Sequence, residues 1–453
     1  MDDSCLDLAF PAVGAKPVSA RFDGGDLTSD GGLVLLRQAD RRIGLTQAMD
    51  AAVTDRRQQA KVEHTLGEML RERVFAIACG YEDANDLDTL RSDPALKLAC
   101  ERKPLSGRAL ASQPTLSRME NGLRRRDLLA MGMAMAERVV AQLPADTRSV
   151  ILDVDATDDP CHGQQELEFF NGYYDTHCYL PLHLYVTGPD QQQRLLGSLL
   201  RPGNANYRLG LFGMLRRAVK LLRARFPGLR IVVRADAGSG YADVLAFCEA
   251  HDLRYVLGLT SNQRLAALST PVQMRAAVRH GRYGYDGWTG PEDGCRLLDE
   301  FGYKANTWPH RRRVIAKVEV TQGKLNPRYV VTDLGGTPEQ VYDFYCERGD
   351  RENRIKELKL DLASGRTSCH RFLANQARLL LHTAACILWQ TIQQAASGTR
   401  WSQAQIGTLR LRVLKVAARV VESCRRIWLH LPSAYPNQDL WAHLHRRLCV
   451  EVT

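Results

Sequence analysis

The chain has 453 residues, 45% apolar and 25% charged, an ordinary globular balance with room for two to four domains at roughly 100–200 residues each. Its net charge of +10 favours a polyanionic partner, nucleic acid first. No apolar run of about 18 residues suggests a membrane span, the acidic N-terminus lacks a signal-peptide layout, and 12 scattered cysteines without a CxxC pair speak against structural zinc and for a cytosolic, reduced protein.

Residues 1–22 read as extended. From Thr28 the pattern turns helical: Asp30 is placed to cap a helix through Leu33, Val34, Leu35, Leu36 and Ala39, which Gly44 stops. Val62 to Cys79 is a second helical run, and Asp83 to Cys100 reads as short helices broken near Pro94. In SQPTLSRMENGLRRR, Ser112 to Arg126, Pro114 suits a helix start. Ser117, Arg118 and Asn121 then have the chemistry to reach base edges or phosphates, and Arg124, Arg125 and Arg126 the charge to grip phosphate. An amphipathic surface helix would account for the same pattern. Leu128 to Gln142 is a further helix, and a domain boundary follows at Pro144.

Strands and helices then alternate. Ser149 to Ala156, Cys178 to Thr187 and Arg194 to Leu200 read as strands, Asn206 to Phe226 as a basic amphipathic helix, Leu229 to Ala235 as a buried strand, Tyr241 to His251 as a helix and Tyr255 to Thr260 as a strand. The order fits an α/β mixed sheet whose first three strands form an antiparallel meander. Residues 262–280 look helical. Arg282 to Arg328 differ in character, with Tyr283, Tyr285, Trp288 and Trp308, and Val314 to Thr321 and Tyr329 to Thr332 alternate as strands, so 282–332 reads as a β-rich insertion. Pro338 starts the next helix, and Phe372 to Ile392 and the cationic Gln403 to Arg425 read as long helices.

Two strands carry carboxylates where apolar residues are expected. Asp153 and Asp155 share one face of the first strand, and Asp236 ends the VVRAD strand before Ala-Gly-Ser-Gly. A helical reading of FYCERGDRENRIKELKL, Phe344 to Leu360, puts Tyr345, Arg348, Glu352 and Lys359 within about a 60° sector of one face. Considered alone, that row is a solvated face with an Arg348–Glu352 ion pair, and Asp236 a helix cap or turn residue. Three converging carboxylates, however, would hold hard divalent cations such as Mg2+ or Mn2+, and two ions about 4 Å apart suit phosphodiester chemistry. The Gly238-Ser239-Gly240 loop lacks the lysine of a phosphate-binding P-loop.

The spacing Tyr345-x2-Arg348-x3-Glu352-x6-Lys359 resembles the Tyr-Arg-Glu-Lys signature of bacterial insertion-sequence transposases with an RNase H-like DDE core. LDVDATDDPCHGQQ, FFNGYYDTHCYLPLHLY, VVRADAGSGY, ANQARLLLH and FDGGDLTSDGG are similar to the thirteen-eighty family of insertion sequences, over most of the chain. The resemblance implies that Asp155, with Asp153 as rival, Asp236 and Glu352 are catalytic and metal-binding, with two Mg2+ or Mn2+ ions, and that Tyr345, Arg348 and Lys359 contact DNA near the cleaved end. Trp288 is a possible counterpart of a base-stabilising insertion tryptophan.

The expectation is thus an α/β RNase H-like core, a mixed sheet flanked by helices, with helical terminal regions: 1–145 DNA-binding, 146–281 and 333–395 core, 282–332 insertion, 396–453 basic and helical. The expected activity is cut-and-paste transposition on double-stranded DNA, at terminal inverted repeats and then at a target, by a synaptic homodimer in a bacterial, nucleoid-associated setting. The competing classes are an inactive DNA-binding derivative and an RNase H-like nuclease or resolvase without strand transfer.

Overall fold

The computed structural model describes residues 7–236, 238–284, 295–321, 324–347 and 352–449, with backbone alone at 280–284, 321, 352 and 353. They belong to two compact units: Met1–Leu123 with Asp361–Arg366 and Ala384–Thr453, and Arg124–Leu360 with Thr367–Thr383. Among the described residues no helix is long and apolar enough to cross a membrane.

The second unit is built on eight strands: β1 (Ser149–Ala156), β2 (Leu182–Thr187), β3 (Gln193–Leu199), β4 (Arg230–Ala235), β5 (Arg254–Leu259), β6 (Arg296–Tyr303), β7 (Arg312–Thr321) and β8 (Lys324–Thr332). Their order in the sheet is β6-β7-β8-β5-β4-β1-β2-β3. The first three form the expected antiparallel meander, while β4 runs parallel to β1 and β5 parallel to β4. Both central strands, VILDV and RIVVRA, are rich in β-branched residues, as a strand covered on both faces requires. Helices Arg125–Ala141, Ala242–Ala250 and Thr270–Gly284 pack on the sheet. Pro181 divides the expected strand Cys178–Thr187: Leu182–Thr187 is β2, whereas Thr176–Tyr179 joins a small separate sheet with Phe169–Asn171 and Asp159–Pro160.

The β-rich insertion is continuous with this sheet. β8 pairs antiparallel with β5, and Val256, Ile315 and Val330 share a core cluster with Val341 and Tyr342 of helix α1 (Pro338–Cys346). β6 was absent from the sequence reading; it pairs with β7 along its whole length. Trp288 lies outside the described residues.

The first unit follows the extended reading of residues 1–22 and departs from the helical one at 403–425. Leu8–Val13 and Lys16–Ala20 form a hairpin. The expected helix Gln403–Arg425 is instead a short helix, Ile406–Leu409, a π-turn, Arg410–Leu414, and a strand, Ala418–Glu422. That strand pairs with Ile427–His430 on one side and Leu27–Thr28 on the other, so long-range pairing has overridden local helix propensity. Asp30 does not cap the helix Leu33–Ile43; its buried carboxylate accepts from Lys415 Nζ at 2.8 Å and the Tyr81 hydroxyl at 2.8 Å.

The motif FDGGDLTSDGG has a steric explanation. Gly31 and Gly32 donate backbone hydrogen bonds to the carbonyls of Val416 and Leu414, and the chains approach so closely that a Cβ on Gly32 would land on the Val413 carbonyl. Gly32→Ala is therefore expected to cost about 3 kcal/mol or more, against a change under about 1 kcal/mol for alanine at Gly122, where a Cβ meets nothing within 4 Å. Comparing the urea midpoints of the two variants tests this.

Candidate active site

β1 and β4 run side by side in parallel, with Asp153 registered on Arg234 and Val154 on Ala235. Asp236 follows Ala235 directly and Asp155 follows Val154, so the two aspartates stand just beyond the last registered pair of these neighbouring strands. These are the carboxyl ends of two parallel strands, where α/β sheets present their ligand-binding groups. Both side chains are half-buried. Asp236 also makes the turn anticipated for it: its Oδ1 accepts from the Gly238 amide at 3.2 Å.

Asp153, the rival of Asp155, is held by an arginine of the neighbouring strand. Arg234 is fully buried, and its Nε donates to Asp153 Oδ1 at 2.6 Å and its Nη2 to Oδ2 at 3.3 Å. A third donor, Nη1, goes to the backbone carbonyl of Phe344, and the guanidinium lies 4.8 Å from the Phe344 ring centre. The arginine thus neutralises Asp153 and satisfies a carbonyl at the C-terminal end of α1, where a cation is favoured. The signal was an arginine inside the apolar run IVVRA, opposite an aspartate in the next parallel strand.

The stretch Phe344–Leu360 is not one regular helix. Helix α1 ends at Cys346 with Glu347 as its C-cap, helical residues resume in α2 (Glu352–Lys356), and Glu357–Asp361 form a π-turn. The wheel that aligned Tyr345, Arg348, Glu352 and Lys359 assumed an uninterrupted α-helix, so it does not hold. Arg348 lies outside the described residues, and so does the Glu352 side chain. The Tyr345 ring packs against the core cluster and edge-on to Tyr342. Lys359 Nζ donates to Asp158 Oδ1 at 2.8 Å and Thr157 Oγ1 at 3.1 Å. Even so, the helix comes to the strand: Ile355, Lys356, Lys359 and Leu360 line a cleft of about 380 Å³ together with Asp155, Ala156 and Thr157. Arg118, Arg124, Arg125 and Arg126 are exposed, the first in one unit and the other three in the other.

Further residues shape the field around the pair. Burial pushes the Tyr174 phenol up to about 12, and the negative charges of Asp158, Asp236 and Asp155 add to the shift. Buried Arg201 spends its guanidinium on the carbonyls of Leu180, Asn206 and Tyr207. His183, registered on Asp155 from β2, is buried, and burial pulls its imidazole down to about 3, so it is neutral. Its Nδ1 lies 2.9 Å from Ser198 Oγ on β3, and Thr383 Oγ1 donates to that same oxygen. Asp155, His183 and Ser198 thus form a polar row across three adjacent strands, with Asp236 just past the end of the fourth. Such a row suits a hard divalent cation at the two aspartates: the donors are carboxylate oxygens in a negative field, and Arg234 is already committed to Asp153. Among the described residues no three His, Cys, Asp or Glu side chains converge, and the Glu352 side chain is not one of those described.

Residues 10–451 match the family described as transposase DDE domain group 1. The chain belongs to that family. Curated proteins yield no match for the transposase. One similar solved structure is a piggyBac transposase synaptic complex with hairpin DNA, at 10% identity and a TM-score of 0.43, over 85% of this chain and 80% of that one.

Two buried groups give the transposase opposing pH responses. Burial raises Asp159 to about 7, with its Oδ2 accepting from Thr367 Oγ1 at 2.7 Å. The folded state then holds a proton that the unfolded carboxyl releases near pH 4, so Asp159 stabilises least as pH rises through 7. His183 runs the other way: the unfolded imidazole takes a proton near pH 6.5 that the folded one refuses until about 3, so stability falls as pH drops through that window. Unfolding free energies between pH 4 and 7 should slope more steeply upward with pH in Asp159→Asn and less so in His183→Gln. Identical slopes in all three proteins would contradict the assignment.

Proposed function

We propose that the chain is a cut-and-paste DNA transposase in which Asp155, Asp236 and Glu352 are the catalytic carboxylates. The observation that carries this reading is the adjacency of Asp155 and Asp236 at the ends of two parallel strands, with α2, which begins at Glu352, lining the same cleft as Asp155. The order β3-β2-β1-β4-β5, a meander followed by parallel strands, supports an RNase H-like core extended by β6, β7 and β8.

In this reading Asp155, Asp236 and Glu352 hold one or two Mg2+ or Mn2+ ions. Divalent cations, when bound, supply activation of the attacking oxygen and charge stabilisation for the leaving one. Asp153 acts through Arg234, keeping β1 and β4 in register and tying them to α1. Lys359 braces Asp158 and Thr157 at the cleft wall and can turn to a DNA phosphate, with Arg348 and Tyr345 on the same stretch. Water attacks the phosphodiester at the element's end and frees a 3′-OH, which then attacks the second strand or the target DNA. The substrate is double-stranded DNA, terminal inverted repeats first. Arg118, Arg124, Arg125 and Arg126 add phosphate contacts, and a homodimer holds two ends in a synaptic complex.

The test is cleavage and joining of labelled DNA carrying the element's ends with Mg2+. Wild type should give 3′-OH ends and joined products. Asp236→Asn and Glu352→Gln should bind DNA yet lose cleavage by at least about 100-fold, the scale of removing one electrostatic stabiliser. Undiminished cleavage by Glu352→Gln would sink the assignment, and cleavage without joining would make the protein a nuclease.

A further inference from the structure

The strands Phe169–Asn171 and Thr176–Tyr179 form a hairpin that carries an unusual number of uncovered rings. Tyr173 is 88% exposed, Phe170 53% and Tyr174 37%. Large aromatics are normally buried or half-covered, and a cluster left in solvent marks an interaction surface.

The hairpin is held firmly. Asn171 Oδ1 accepts from the amides of Tyr173 and Tyr174 at 3.0 and 3.3 Å, and its Nδ2 donates to the Gly203 carbonyl at 2.9 Å. Gly203 packs so tightly below that a Cβ there would strike the carbonyls of Cys178 and Phe169. The ring of Tyr173 stands edge-on to Tyr174 at 4.8 Å, and Phe170 edge-on to His177 at 5.7 Å. The hairpin also pairs with the short strand Asp159–Pro160, where Tyr179 registers on Asp159, four residues beyond Asp155 in sequence. Tyr174 lies near enough to Asp155, Asp158 and Asp236 for their charges to act on its phenol.

We propose that Phe170 and Tyr173 form a stacking platform for unpaired DNA bases next to the cleaved phosphodiester. The proposal rests on the DNA-cleaving reading of the carboxylate pair. Phe170 and Tyr173 carry no cationic group for a phosphate; what they offer is ring faces. Paired bases stack on one another and expose little face, whereas a base freed from its partner stacks on an aromatic ring whatever its sequence. Rings fixed on a braced turn lose little freedom when a base lands on them.

The experiment uses the full chain, without divalent metal, and two forms of the element-end DNA. One is fully paired. The other is mismatched at the outermost positions and carries 2-aminopurine in the unpaired arm. Wild type should bind the forked form about tenfold more tightly than the paired one and quench the 2-aminopurine, since stacking on a ring is worth a factor of this order. Phe170→Ala and Tyr173→Ala together should erase that preference and the quenching while leaving affinity for paired DNA unchanged. Tyr173→Phe should keep both, because the ring and not the hydroxyl does the stacking. Both side chains are exposed, and an unchanged melting temperature checks the fold. A fork preference that survives the double substitution, or that is lost in Tyr173→Phe, overturns the platform while leaving the proposed function intact. Failure of wild type to bind either DNA overturns both.

Discussion

Arg234→Leu is expected to destabilise the protein by about 3–5 kcal/mol, the scale of leaving one member of a buried ion pair without its partner. The pair is fully enclosed: the guanidinium side chain is 0% exposed and the Asp153 side chain 4%. Losing the arginine leaves Asp153 desolvated in the middle of β1, and frees the Phe344 carbonyl at the end of α1. The companion experiment removes both charges. Asp153→Leu with Arg234→Leu should recover much of the loss, because no buried charge is then stranded. Urea denaturation of the wild type, both singles and the double gives the coupling. If the two losses simply add, the pair is not the structural unit described here.

The second large effect separates the two aspartates of β1 by function. Asp155→Asn should abolish DNA cleavage, by at least about 100-fold, with little change in denaturation midpoint. Asp153→Asn should lower the midpoint, because Arg234 loses its anionic partner. A full-rate Asp155→Asn would return the catalytic role to Asp153. Measuring both quantities on both variants matters, since an unfolded protein also fails to cut.

Much of the sheet was legible because its strands are written in β-branched residues at their natural length, as in SVILDVDA and RIVVRA. The two aspartates stood out because a carboxylate in such a strand needs a reason. The reason differs for each, and no local pattern distinguishes them: Asp153 meets Arg234, 81 positions away, only through the parallel register. The C-terminal run misled for a related cause. Gln403 to Arg425 has helical composition, but Ala418–Glu422 finds partners at Leu27–Thr28 and Ile427–His430. The stretch around Glu352 gave its chemistry through residue types and spacing, whereas its geometry, with α1 closing at Cys346 and a π-turn at Glu357–Asp361, depends on contacts that spacing does not encode.

The pairing of Leu27–Thr28 and Gly31–Gly32 with segments near residues 414–419 bears on the order of synthesis. The ribosome makes the two halves of that small sheet far apart in time, with the whole of the second unit's sheet between them. The strands β1 to β8 can all meet before residue 414 has been translated, but the first unit can only close once its last strand emerges. A nascent or prematurely terminated chain would therefore carry a sheet with its aspartates in register and an open terminal unit, holding exposed strand edges for as long as translation lasts. Emergence of the strand Ala418–Glu422, more than any local propensity, is what lets Leu27–Thr28 find its partner.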